Sequence, residues 1–179
     1  MTAPPPAAPP PSGGTPAGTR TVPTDPSPPP HDTRRSLGAG AMIGVGLMAA
    51  VDEIVFHQLL GWHHFYDRST SQVALLSDGV LHAVELVLLV AGFFVLADLQ
   101  RRRTLARGFV QAGLLVGAGG FQLFDGLVDH KVLRVHQVRY GVELLPYDVA
   151  WNGVGALVLV AGLVVLARAR RRARAAAGR

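Results

Sequence analysis

The stretch Gly40-Ala41-Met42-Ile43-Gly44-Val45-Gly46-Leu47-Met48-Ala49-Ala50-Val51-Asp52-Glu53-Ile54-Val55-Phe56-His57 is an apolar run with glycines at helical spacing, and it ends in two acids and an imidazole. A shift of 73 residues lays Gly40, Gly44 and Gly46 on Gly113, Gly117 and Gly119. The same shift lays Asp52, His57 and His63 on Asp125, His130 and His136. With Val55/Val128 and Leu60/Leu133, residues 40–64 carry eight identities. A shift of 70 relates the segments that follow: Leu89-Val90-Ala91-Gly92 returns as Leu159-Val160-Ala161-Gly162, and Asp78 as Asp148. The repeating unit is therefore a helical hairpin present twice. Small residues four apart let helix backbones approach closely, so the glycines predict a seam between the first and third helices. The same stripe also suits a homo-oligomer interface.

Working outward, four apolar stretches reach the roughly 20 residues that a bilayer crossing needs. They cover residues 37–60, 73–99, 105–128 and 148–167. Only 16% of the 179 residues are charged, below the roughly quarter of an ordinary soluble domain. Thirteen of the seventeen basic residues precede the first stretch, separate the second from the third, or follow the fourth. The positive-inside rule then puts both termini in the cytoplasm and the loops near 61–72 and 129–147 outside. With two in–out–in hairpins, the repeat is parallel about an axis along the membrane normal. Trp62, Tyr66, Tyr140, Tyr147 and Trp151 suit the outer aromatic belt. The expected architecture is all-α: a disordered Pro-rich cytoplasmic tail (1–35), a four-helix transmembrane bundle (36–168) and an Arg-rich cytoplasmic tail (169–179). Twelve of the thirteen prolines lie in residues 1–33, which hold almost no large apolar side chain to offset ordering entropy. Arg34-Arg35 ahead of an apolar run also suits a twin-arginine export signal, but no small-residue cleavage site follows. The bilayer is the expected partner, with a homo-oligomer or a membrane-protein partner beside it. Nucleic acid is not expected, since the arginines flank apolar runs instead of forming a patch on a soluble fold.

Six of the seven histidines sit at the outer ends of the spans or just beyond, among carboxylates. Ionisable groups at membrane depth need a partner, water or a metal. Asp78, His82 and Glu85 fall at i, i+4 and i+7 on one face of the second helix. Their counterparts on the fourth are Asp148, Asn152 and Gly155, so the two halves differ chemically. Asp52 and His57 are five apart, about 140° around an unbroken α-helix, and meet one neighbour only if the helix deforms. His57 and His64 share a face, and so do Asp125, Asp129 and His136, with His130 to one side. Gly61 permits a break before Trp62-His63-His64. Imidazole with carboxylate and no cysteine is the ligand set of zinc, iron, manganese or cupric copper. The expected ligands are His57, His82 and His130, with Asp52, Asp78, Glu85 and Asp125 as ligands or orienting groups. His63, His64 and His136 read equally as interfacial side chains. Bis-histidine haem b is the lesser option, because carboxylates crowd the histidines.

The segment Asp52-Glu53-Ile54-Val55-Phe56-His57-Gln58-Leu59-Leu60-Gly61-Trp62-His63-His64 resembles the hallmark of a bacterial membrane family, domain-of-unknown-function family 2243. Asp78-Gly79-Val80-Leu81-His82 and Phe124-Asp125-Gly126-Leu127-Val128-Asp129-His130 are similar to its later motifs, and the likeness covers about residues 37–167. The resemblance implies a four-span membrane protein and no established activity. The family pattern has a glycine after the first motif's aspartate, where this chain has Glu53; Gly126 keeps it. Gln137 stands where the first copy has His64.

No motif names a reaction: the sequence has no Walker loop, Rossmann fingerprint, Gly-x-Ser-x-Gly or His-Glu-x-x-His. The expected function is a metal-binding protein of the bacterial cytoplasmic membrane, its site facing outward. One alternative is a proton-coupled small transporter or channel that uses Asp52, His57, His82 and Glu85. The inner half of the helices is poor in polar groups, which counts against it. The other is a structural or assembly partner without chemistry of its own.

Overall fold

The computed structural model describes residues 1, 3 and 31–178, so the proline-rich segment lies outside the described residues apart from its ends. Those residues form four helices and no strand. Helix α1 spans Thr33–Val51 and continues without interruption as a π-helical segment, π1, Asp52–Leu59. Helix α2 spans Ser71–Arg101. Helix α3 spans Arg107–Phe124 and continues as π2, Asp125–Leu133. Helix α4 spans Leu144–Ala177, running ten residues past the expected end of its apolar stretch and carrying Arg168–Arg174 on its last turns.

Three of these units are long and apolar enough to cross a membrane: Thr33–Leu59, Ser71–Arg101 and Leu144–Ala177. The unit starting at Arg107 falls short of the expected fourth. Its helix carries five glycines and two glutamines among its apolar residues, and it packs on both α1 and α4. Helix α2 packs on α1, and α2 and α4 make no close backbone approach to each other. Their free faces carry Leu76, Val80, Val87 and Phe94, and Leu157, Val160 and Leu163, a surface of the kind lipid covers.

The core of the bundle is the α1–α3 seam. A Cβ on Gly40 or Gly44 would strike the Val110 or Leu114 carbonyl, and one on Gly113 or Gly117 would strike Leu37 or Ala41. Each of these contacts maps onto its partner under the 73-residue shift. The flanking interfaces correspond as well: Gly46 faces the Glu85 carbonyl and Leu89, while Gly119 faces the Gly155 carbonyl and Leu159. At the Arg-rich end, Ser36 Oγ accepts from Ala106 N at 3.0 Å and Asp32 N donates to Thr104 O at 2.8 Å, fixing the α2–α3 turn to the start of α1. At the other end the bundle is closed by rings. Phe56 packs on Trp62 and Trp151, and Arg139 lies over Trp62 at 4.8 Å.

Candidate metal centre

Asp52 and His57 do face the same point, because the helix between them is not α. A π-turn closes i→i+5 hydrogen bonds, as Leu60 N does to Val55 O at 2.9 Å, so residues five apart come into line. His57 Nε2 then lies 3.6 Å from Asp52 Oδ2. In π2, His130 Nε2 lies 3.2 Å from Asp125 Oδ2. Beyond each π-segment the chain turns sharply back. Gly61 (φ 57°) does this in the first half, and Arg134 (φ 53°), in the left-handed region that costs a side chain energy, does it in the second. The turns return His63 and His136 beneath the ends of their own helices. His63 Nε2 sits 3.9 Å from Asp52 Oδ1, and His136 Nε2 sits 3.2 Å from Asp125 Oδ1.

The four imidazoles form one cluster. The His63 and His136 rings stack at 4.7 Å with 3° between their planes. His57 meets His63 edge-on at 4.5 Å, and His130 meets His136 edge-on at 4.6 Å. His63 Nδ1 donates to Val138 O at 2.8 Å, and His136 Nδ1 donates to Phe65 O at 2.9 Å. A carbonyl only accepts, so each Nδ1 carries its proton, and a neutral ring then keeps its lone pair on Nε2. The two hydrogen bonds cross between the halves: each loop orients the other's histidine. The Nε2 atoms of His57, His63, His130 and His136 are all buried without a hydrogen-bond partner, as are Asp52 Oδ1 and Asp125 Oδ2. Buried polar groups are almost always paired, and all of these residues but Asp125 belong to groups whose ligand atoms lie close enough together that they could hold a metal ion.

The expected ligands divide accordingly. Asp52, His57, Asp125 and His130 belong to the cluster. Asp78 orients: Oδ1 accepts from His57 Nδ1 at 3.1 Å and from Phe65 N at 2.8 Å, and Oδ2 accepts from His64 Nδ1 at 2.5 Å. Glu85 is buried, but against His82, 2.5 Å away. His82 does not reach the cluster. The inward face of α2 is Ala74, Asp78, Leu81 and Glu85, and His82 lies at its edge with 57% of its side chain exposed. His63, His136 and Glu53 complete the surroundings. Three groups have ligand atoms within 4.8 Å of one another: His63, His130 and His136; Asp52, His57 and His63; Glu53, His57 and Asp78.

The halves differ behind the ligands. His57 Nδ1 has Glu53 Oε2 at 2.8 Å as well as Asp78. His130 Nδ1 has no partner. Gly126 stands in place of Glu53, and Asp148 is drawn to Lys131 Nζ at 2.5 Å. Among the described residues no Lys or Arg pairs with Asp52, Glu53, Asp78, Glu85 or Asp125. In the loops, burial first, then the neighbouring imidazoles of His136, His57 and His130, hold His63 far below the usual imidazole range. Burial also works against a charge on His136, but the Asp125 carboxylate 3.2 Å away outweighs it and raises that group.

The family described as predicted membrane protein DUF2243 matches residues 39–169, which span every residue of this cluster. The chain belongs to that family. No curated protein and no solved structure is matched by the chain. Membership in DUF2243 establishes a predicted membrane protein, and the chemistry rests on the cluster itself.

Proposed function

We propose that this protein of the bacterial cytoplasmic membrane holds a transition-metal centre of His57, His63, His130 and His136 with Asp52 and Asp125. The observation that carries the reading is the convergence of four buried, unpartnered Nε2 atoms, two of them on rings fixed by backbone carbonyls. Each half supplies two imidazoles and one carboxylate, the set that leaves open positions on non-haem iron and also serves zinc and manganese. The 73-residue repeat doubles the triad, so the centre has ligands for two ions. The chain's own part is to orient His63 and His136 through Val138 O and Phe65 O, to orient His57 through Asp78, and to exclude bulk water. When bound, the metal supplies Lewis acidity or redox chemistry. Haem fits poorly, because His63 and His136 stack directly on each other and leave no room for a macrocycle between them.

In this proposal both termini are cytoplasmic and the centre faces outward, which the arginines at the opposite end of the helices support. The two halves are parallel hairpin repeats about an axis between α1 and α3, which the reciprocal glycine contacts support. Transport finds less support. Inward of the centre the α1–α3 seam is backbone against backbone at Gly40, Gly44, Gly113 and Gly117. X-ray absorption at the edge of the metal carried by the purified protein tests the ligand set. Nitrogen and oxygen ligands with imidazole scattering are expected, lost in a folded His63→Ala/His136→Ala variant. A spectrum without imidazole would overturn it.

A further inference from the structure

The first half holds a second group of carboxylates outside the histidine cluster. A cleft of about 290 Å³ opens between π1 and the first turns of α2, lined by Glu53, Gln58, Asp78 and His82 among apolar neighbours. Glu53 points into it with its side chain only 3% exposed. Its Oε1 accepts from Gln58 Nε2 at 2.8 Å. Its Oε2 accepts no hydrogen bond. His57 Nδ1 is 2.8 Å away but aligned on Asp78. Two buried carboxylates therefore share a cleft with the imidazoles of His57 and His64 beside them but, among the described residues, no paired Lys or Arg.

The second half shows what belongs there. Under the two shifts, Gln58 corresponds to Lys131, Asp78 to Asp148, Glu53 to Gly126 and His64 to Gln137. Lys131 Nζ reaches Asp148 Oδ2 at 2.5 Å and Gln137 Oε1 at 3.3 Å. The room that Glu53 takes is filled there: a Cβ on Gly126 would come 2.5 Å from Asn152 Oδ1 and 2.7 Å from Trp151. The second half thus carries a covalent ammonium at the place where the first half carries an extra acid and an open cleft. We infer that Glu53 and Asp78 bind a free divalent cation of the oxygen-preferring class at this cleft, at the position Lys131 occupies in the other half. Two carboxylates with room for retained waters suit manganese, magnesium or calcium better than a soft ion. The site adjoins the histidine cluster through His57 Nδ1, 2.8 Å from Glu53 Oε2 and 3.1 Å from Asp78 Oδ1, but uses none of the cluster's Nε2 atoms.

Mn²⁺ titration of the full-length protein in detergent tests this, with free ion counted by its electron paramagnetic resonance signal. Gln58→Lys supplies the second half's ammonium and is expected to remove one Mn²⁺ equivalent or weaken it by about 100-fold. Gln58→Leu removes the amide without adding charge and is expected to retain that equivalent. The His63→Ala/His136→Ala variant is also expected to retain it, whatever happens to the metal in the histidine cluster. Wild-type binding by Gln58→Lys would overturn the inference and leave the histidine centre standing. So would equal loss in Gln58→Leu and Gln58→Lys, since charge would then not be the cause. No Mn²⁺ bound by the wild type would overturn it too, while the metal content of the protein as isolated judges the histidine centre separately.

Discussion

Gly44 and Gly117 carry the sharpest packing prediction. A Cβ on Gly44 falls 2.8 Å from Leu114 C and 2.9 Å from Ala118 N, closer still to the carbonyl oxygen, where ordinary contact begins at 3.4 Å. The obstacles are backbone atoms, so no rotamer change relieves them, and the helices must part by roughly 1 Å along the seam. A gap of that size forfeits about a quarter to a half of each dispersion contact it opens. Overpacking of this kind costs about 1–3 kcal/mol, against a gain of up to about 1 kcal/mol in helix propensity. Gly44→Ala and Gly117→Ala should therefore each destabilise by about 1–2 kcal/mol. Gly120→Ala and Gly153→Ala meet nothing within 4 Å and should be neutral or stabilising by up to about 1 kcal/mol. The contrast approaches about 2 kcal/mol, or some 30-fold in the unfolding equilibrium. Both seam sites open one interface, so the double variant should cost less than the sum. Unfolding in mixed micelles, followed by circular dichroism, measures all five variants against the wild type. If Gly44→Ala matches Gly120→Ala in stability, the seam is not a backbone contact and the reasoning is wrong.

Other outcomes follow from single side chains. Asp78→Asn should lose about 1–3 kcal/mol of stability, because His57, His64 and Phe65 N all bond to that carboxylate. It should also weaken metal at the histidine cluster by about 10–100-fold, measured by competition with a chelator. His82→Ala should leave the metal at the histidine cluster unchanged, since His82 pairs with Glu85 and does not reach the cluster; a loss of that metal would place His82 in the centre after all. Arg139→Ala should cost about 0.5–1 kcal/mol and shift Trp62 fluorescence, because the guanidinium lies over the Trp62 ring.

Hydropathy and glycine spacing made the helices legible, since both report periodic burial along a regular helix. The third helix shows where hydropathy weakens: its five glycines and two glutamines lower the mean, although the helix packs on both α1 and α4. The angular conflict between Asp52 and His57 was visible from spacing alone, and so was its remedy, a deformed helix. That the deformation is a π-segment, occurring in both halves, was not, because α and π hydrogen bonding differ by one residue and leave no compositional mark. The wheel that set His136 on a face with Asp125 and Asp129, and His130 to one side, does not hold, because π2 ends at Leu133 and both imidazoles reach Asp125; nor does a wheel place His63. His63 and His136 lie past turns at Gly61 and Arg134, where periodicity no longer reports direction. Their signal was the repeat: both survive the same 73-residue shift as Asp52 and His57. His82 misled for the opposite reason. It shares a face with Asp78 and Glu85 on the wheel, yet the packed face of α2 is centred one residue away, on Leu81. Glu53 gave no periodic signal; only its contrast with Gly126 sets it apart.

The most direct test is the metal content of the full chain, purified in detergent under reducing conditions, beside a His63→Ala/His136→Ala variant with unchanged helicity. The histidine centre predicts one to two equivalents of a single transition metal in the wild type and its loss in the variant. A wild type that stays empty after reconstitution with zinc, iron and manganese, or a variant that retains the full complement, would contradict it.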